Sequence, residues 1–383
     1  MSAPELRVGI VCDLLEERWP SMDLVADMLL DQLQTSHASE IRAERIRPEF
    51  PARFGRHADR LLHRFWNYPR ALRRQGRRCG IYHVMDHSYA QLVHDLPAAR
   101  TVVTCHDLDT FRCVLDPPRD PRSAPFRLMT GRILSGLRKA AWITCDSHAT
   151  REELLHYGVA APERTSIVAN GVHPACSPEP DASADAEAEK LLGEREERSI
   201  DLLHVGSTIP RKRIDVLLEI FAAIARLGLN FGQQFRLIRA GGAFTATQDA
   251  MVRQLGIGSS IVVLPYLDRA VLAAIYRRAA LVLQPSESEG FGLPLAEALA
   301  CGTPVVASDL PVLREVGGQS ATYCPLASVN IWSQSVMKVL CEREDRPDLW
   351  AMRQLAGIDR ASQFNWRNYA SQMLTIYRKL PLV

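Results

Sequence analysis

Short apolar runs of strand length recur along the chain, and most are followed by a stretch whose apolar residues return every three or four positions. That pattern predicts parallel strands buried on both faces and covered by helices. In the first half the runs fall at Leu6–Cys12, Gly80–Val84, Thr101–Thr104, Trp142–Thr144 and Thr165–Val168. In the second half they fall at Leu202–Val205, Phe235–Ala240, Ile261–Leu264, Leu281–Gln284, Thr303–Ala307 and Thr322–Tyr323. Between the two sets, Ser177–Ala188 is rich in Pro, Ala, Ser and acid and lacks large apolar residues, the composition of a linker. The pattern therefore predicts an α/β chain of two Rossmann-like domains, residues 1–176 and 201–364, joined by a linker over 177–200. Open α/β sheets bind ligands outside the carboxyl ends of their strands, so the expected site is a cleft between the domains.

Composition agrees with an ordinary globular chain: 383 residues, 47% hydrophobic and 23% charged, with a formal net charge of +2. No global field draws the molecule to nucleic acid, and no RNP, zinc-finger or helix-turn-helix pattern supports such a partner. Five lysines (139, 190, 212, 338, 379) leave 41 of the 46 basic residues as arginine, so each lysine invites inspection. Nine scattered cysteines without a C-x-x-C pair argue against a disulfide framework or a zinc site. The start MSAPELRVGIVCDLL enters a strand at once, without a basic leader and apolar stretch, and no run of about 18 apolar residues follows. The expected address is the cytoplasm.

One charge cluster stands out. Ala52–Cys79 holds nine arginines (53, 56, 60, 64, 70, 73, 74, 77, 78) against the single acid Asp59, interleaved with Phe54, Phe65, Trp66 and Tyr68. Arg53, Arg56, Arg60 and Arg64 share a helical face, and Ala58, Leu61, Leu62 and Phe65 form another. A solvated basic helix packing its apolar stripe on the domain is one reading. The other is a patch, Arg53–Arg78, that meets anionic lipid head groups on the inner membrane face or a phosphate-bearing acceptor.

The richest chemistry lies at Leu281–Asp309, LVLQPSESEGFGLPLAEALACGTPVVASD. A strand ends at Gln284 and a turn carries Glu289, then Gly290, Phe291, Gly292 and Leu293 lead into a short helix started by Pro294. The glycines let a ligand approach the backbone, and the helix start favours an anion. Glu289 and Glu297 can both face the cleft and accept hydrogen bonds from sugar hydroxyls, although an acid at 297 alone also suits an ordinary first helical turn. At LLHVGSTIPRKRIDVLLEIF, Arg211-Lys212-Arg213 precedes a helix, where cations oppose the dipole unless an anion sits there. In VVTCHDLDTFR, His106-Asp107 ends a strand, and Asp107-x-Asp109 has the form of a metal-binding pair.

These segments resemble the retaining glycosyltransferases of family 4, which have the GT-B fold and a Glu-x7-Glu motif inside "EGFGLPxxEAxACGxPVV". The resemblance covers nearly the whole chain, and includes "VGxxxxRKxxxxLL" at 205–218, "NGVD" as Asn170–His173, and a closing helix in FNWRNYASQMLTIYRKL, about 365–383, that crosses back to the first domain. It implies that Glu297 holds the ribose, Glu289 the donor hexose, and Lys212 with Ser207 and Arg211 the diphosphate. The amides of Phe291, Gly292 and Leu293 would bind sugar and diphosphate, and His106 would lie against the donor sugar. No metal and no cofactor is expected beyond the nucleoside diphosphate sugar, because this fold holds diphosphate with lysine, arginine and helix N-termini. Two departures matter. Ser207 stands where the family often has arginine, and the usual Gly-Gly after strand one is replaced by CDLLEERWPSMDLVADML, in which Trp19, Pro20, Ser21 and the acid pair Glu16 and Glu17 would line the acceptor side, together with Asp107 after a later strand. The expected activity is retaining transfer of a hexose from a UDP- or GDP-sugar to a sugar, lipid-linked or other hydroxyl acceptor, in glycan, polysaccharide or glycolipid synthesis. The alternative is a non-catalytic nucleotide-sugar-binding protein on the same fold.

Overall fold

The computed structural model describes residues 6–75, 78–193, 199–229, 233–326 and 328–381. Arg77 of the basic segment and residues 194–198 of the expected linker lie outside them. The chain divides into two compact units, one of residues 1–171 with 366–383 and one of residues 172–365.

The first unit contains one parallel sheet of β1 (Leu6–Val11), β2 (Ile41–Ile46), β3 (Ile81–Val84), β4 (Thr101–Cys105), β5 (Trp142–Cys145) and β6 (Thr165–Ile167). Their spatial order is β2-β1-β3-β4-β5-β6. Because β2 lies to one side of β1 and β3 to the other, the chain reverses direction at β1/β3, and that crevice is the switch point of the sheet. Strand β2 escapes the apolar pattern because its sequence is IRAERI. It is an edge strand, so Arg42, Glu44 and Arg45 project to solvent while Ile41 and Ile46 are buried. Arg45 and Arg47 tie that edge to Asp27 and Asp23 of the helix Pro20–Thr35. The helix Trp366–Lys379 belongs to this unit, burying Tyr369, Ala370, Met373 and Tyr377, and the Tyr377 hydroxyl meets His83 Nδ1 at 2.7 Å.

The second unit repeats the plan with β7 (Ser199–Val205), β8 (Gln234–Ala240), β9 (Ile261–Leu264), β10 (Leu281–Gln284), β11 (Val305–Ser308) and β12 (Thr322–Cys324), ordered β12-β11-β10-β7-β8-β9. Its switch point is β7/β10. The helix Ile214–Leu229 and the helix Val329–Asp345 cover one face, with Leu217, Phe221, Ile224 and Trp332 fully buried.

Residues 177–193 of the stretch expected to be a linker belong to the second unit, which begins at Val172, and contain a helix. Asp181 caps the helix Ala182–Leu192 by accepting from the amides of Ser183 and Ala184. Ala184, Ala188 and Leu192 recur every four residues and bury against the helix Arg269–Arg278, with Arg277 pairing to Asp185 at 2.6 Å. The small apolar residues that imitate a linker composition here permit close helix packing.

The basic segment is a helix over Arg56–Gln75 containing a π-helical turn at His63–Asn67. Its inward face is Asp59, His63, Arg64, Tyr68 and Leu72 rather than the expected Ala58–Phe65 stripe. Leu61 and Trp66 face solvent, and Phe54 just ahead of the helix is 70% exposed. Arg64 is buried, donating to the Ser88 carbonyl and stacking over the Tyr89 ring, so it leaves the solvent-facing arginine set. Among the described residues no helix is long and apolar enough to cross a membrane.

Candidate functional site

In the second unit, the loops after β7 and β10 meet at the switch point. The first runs through a 3₁₀ turn, Pro210–Lys212, and ends on Arg213 in a left-handed conformation at φ 48°. The second runs from Gln284 to Gly292, and the Glu287 amide donates to the Arg211 carbonyl at 2.7 Å, pinning the loops together. Lys212 Nζ then reaches Glu289 Oε1 at 2.6 Å, and Arg211 Nη1 lies 3.6 Å from Oε2. Gln284 Nε2 and Ser286 Oγ donate to the same Oε1 at 2.9 and 2.7 Å. Burial alone would push the Glu289 carboxyl up, but Lys212 and Arg211, with the hydrogen bonds from Lys212 and Ser286, outweigh it and hold it down at about 2. Glu289 is therefore a carboxylate across the physiological range.

Gly292 starts the helix Leu293–Ala300 at φ 94°, where a Cβ would also strike Leu313 Cδ2 at 2.6 Å, so only glycine fits. The helix opens without a capping side chain, with Pro294 in its first turn. Phe291 is buried edge-on to Phe364, centroids 5.4 Å apart. Glu297, one turn into the helix, has different partners from Glu289: Arg269 Nη1 at 3.2 Å and the Tyr276 hydroxyl at 3.1 Å. Burial raises its pKa against the pull of Arg269 and Tyr276. Ser207 is half-buried in the loop after Gly206, and Arg213 turns to Asp215 and Glu287.

In the first unit a polar cluster occupies the carboxyl ends of β1, β3 and β4. Since Val11 pairs with Val84, Asp13 and Asp86 stand at matching positions two residues beyond, at the β1/β3 switch point. Asp86 accepts from the Ser88 amide and hydroxyl, both at 2.7 Å. Asp13 is 5% exposed and neither of its oxygens has a hydrogen-bond partner among the described residues. Burial first, then the neighbouring Asp86, pushes its carboxyl well up against the pull of Arg64 and His106. His106 Nδ1 meets Asp146 Oδ2 at 2.5 Å and Nε2 meets the Met85 carbonyl at 2.8 Å. Burial would lower its pKa, but Asp146 and Asp86 with the Met85 carbonyl raise it to about 10, so it is an imidazolium with both ring nitrogens engaged inside the unit. Asp107 accepts from the Asp109 amide at 3.1 Å and lies 3.6 Å from His87 Nε2. Trp19 precedes the helix Pro20–Thr35 and packs on the core, while Pro20 and Ser21 are exposed. Glu17 is not a free acid: the Tyr89 hydroxyl donates to it at 2.8 Å, and Arg64 and Arg60 lie at 3.4 and 3.5 Å.

Sequence reading brought out Lys212, Arg211 and Glu289, which meet. It missed Asp13, Asp146, His204 and Arg239. The last two were hidden inside apolar strands, and a polar residue at a strand's carboxyl end was their only signal.

Residues 28–175 match the family model described as Glycosyltransferase Family 4, and residues 186–348 match Glycosyl transferases group 1. The chain is 30% identical to the D-inositol 3-phosphate glycosyltransferase of Gordonia bronchialis over 62% of this chain and 52% of that protein. It is 29% identical to the O-antigen chain mannosyltransferase B of Escherichia coli over 73% of this chain and 71% of that one. The match thus spans about half the length of the first of these relatives. Among solved structures, sucrose-phosphate synthase from Thermosynechococcus elongatus superposes with a TM-score of 0.76 at 20% identity, covering 98% of this chain and 99% of that one. HepE of Anabaena, solved with UDP and glucose, superposes with a TM-score of 0.73 at 17% identity, covering 98% and 100%. At these identities the superpositions bear on the fold alone, which is the GT-B type of two parallel α/β sheets.

Proposed function

Because the chain belongs to the group 1 and family 4 glycosyltransferases, we propose that it moves a hexose from a nucleoside diphosphate sugar to an acceptor hydroxyl with retention of anomeric configuration. The observation that carries this reading is the Lys212–Glu289–Arg211 constellation at the β7/β10 switch point, beside an uncapped helix start. Cations there stabilise the charge that develops on the departing diphosphate. The bond from the anomeric carbon to the phosphate oxygen breaks, the bond to the acceptor oxygen forms on the same face, and the acceptor proton passes to the departing phosphate. No separate base is required. Glu289, ionised and fixed by three hydrogen-bond donors with Arg211 beside it, orients Lys212 and meets donor hydroxyls. Glu297, set by Arg269 and Tyr276, holds the ribose, and Trp19, Pro20, Ser21 and Asp107 line the acceptor side.

The donor is a UDP- or GDP-hexose, in keeping with the UDP and glucose bound by HepE. Positive side chains take the place of a divalent ion, so a chelator should leave turnover unchanged. The acceptor is a sugar, lipid-linked or other hydroxyl. A lipid-borne acceptor fits the exposed face of Phe54, Leu61 and Trp66 set among Arg53, Arg56, Arg73, Arg74 and Arg78, which would rest on the anionic inner face of a membrane. A thermal-shift panel of UDP, GDP and their hexose conjugates tests the donor reading. Stabilisation by one nucleotide series is expected, and indifference to all would remove it.

A further inference from the structure

Beneath the loops of the second unit lies a buried cation that no carboxylate accompanies. Arg239 stands next to the end of β8, is fully buried, and forms no ion pair among the described residues. It is paired in register with His204 of β7, itself buried with neither ring nitrogen hydrogen-bonded among the described residues. Arg239 Nη2 donates to the Gly206 carbonyl at 2.9 Å, and Nη1 donates to the Gly242 carbonyl. Its Nε has no partner among the described residues.

The two loops touch directly over it, since a Cβ on Gly241 would lie 2.1 Å from the Gly206 oxygen. A Cβ on Gly206 would in turn lie 3.3 Å from His204 Cε1 and 3.7 Å from Lys212 Cε. Arg239, His204 and Lys212 are therefore one cluster, in which Lys212 has Glu289 as its counterion and Arg239 forms no ion pair among the described residues. An uncompensated guanidinium in the interior is costly, and burial without a counterion drags its pKa down. The neighbouring His204 is likewise held neutral, by burial first and then by Arg239 and Lys212, at about 3.

We propose that Arg239 is a positioning residue for the diphosphate. It turns the Gly206 and Gly242 carbonyls inward, so that the loop amides face the ligand, and it supplies from below the charge that Ser207 cannot. The anion would supply the counter-charge that the Arg239 guanidinium lacks among the described residues. This rests on the reading of the β7/β10 crevice as the nucleoside diphosphate pocket.

Calorimetry of the full chain with UDP, GDP, uridine, guanosine and inorganic pyrophosphate tests the proposal. Arg239→Met should weaken the diphosphates and pyrophosphate by about 10- to 100-fold while leaving the bare nucleosides within twofold, and Arg239→Lys should recover most of the loss. A merely structural role would weaken nucleoside and diphosphate alike, and that result, or unchanged diphosphate binding, overturns the proposal. Should Arg239→Met not fold, histidine-selective NMR of the parent decides. Saturating pyrophosphate should raise the pH at which His204 titrates by a unit or more, and no movement overturns the proposal. A parent chain that binds no diphosphate of any kind would instead remove the pocket reading itself.

Discussion

Glu289 and His106 are both buried ions, but their stability contributions run in opposite directions with pH. Glu289 is depressed to about 2 from an ordinary 4.5, so its stabilisation is fully present above about pH 4.5 and is lost as pH falls toward 2. Replacing Lys212 with Met leaves that carboxylate buried without its main partner. Destabilisation of about 3–5 kcal/mol at neutral pH is expected, measurable by urea denaturation, and most of it should vanish in the Lys212→Met, Glu289→Gln double variant. His106 is raised to about 10 from an ordinary 6.5, so its contribution is whole below pH 6.5 and disappears as pH rises through 10. Asp146→Asn should bring the His106 titration, followed by histidine NMR, down into or below the neutral range. An unchanged titration would mean that Asp146 is not the group that charges it. At this scale the sequence was half legible. Lys212 and Glu289 stand in long, specific motifs, whereas Asp146 lies forty residues from His106 and only strand pairing brings them together.

Elements were read best where burial and pattern coincide. The inner strands β10 (LVLQ) and β11 (VVAS) carry the apolar run that two-sided burial requires, while the edge strand β2 has no such run. The helix Ala182–Leu192 was invisible because alanine packing and linker composition look alike. The arginine helix was seen, but its orientation was not, because the π-helical turn shifts the phase and sends Arg64 inward and Trp66 out. That orientation redefines the membrane experiment. Sedimentation with anionic vesicles should depend on Arg53, Arg56, Arg73, Arg74, Phe54 and Trp66, and indifference to replacing these six would remove the lipid contact. Packing supplies a second expectation. Gly136 of the helix Ala124–Lys139 sits where a Cβ would lie 2.0 Å from the Ala90 carbonyl. Gly136→Ala should destabilise the first unit by about 1–3 kcal/mol in thermal or urea unfolding.

Across the molecule, a net charge of +2 conceals two basic clusters, the arginine helix of the first unit and the Arg211–Arg213 turn with Arg239 in the second. Each unit reverses strand order once, and at each reversal a buried ionisable side chain has polar atoms without a hydrogen-bond partner among the described residues: both oxygens of Asp13 at β1/β3 and Nε of Arg239 beside β7/β10. Domain count and sheet class were legible because parallel strands write themselves as apolar runs; these switch points follow from strand order, which a pattern does not encode. The cysteines form no disulfide, eight of the nine are buried and Cys341 is exposed. A thiol reagent should label one site rapidly in the native protein and all nine in denaturant.

The central claim is that this crevice discharges a nucleoside diphosphate through Lys212. Release of free UDP or GDP from a panel of nucleotide hexoses, with sugar and lipid-linked acceptors, compares the parent with Lys212→Ala most directly. Acceptor-dependent release is expected from the parent, with turnover about 10²–10³ lower in the variant. Release within about threefold of the parent, or binding without release from any donor, would contradict it.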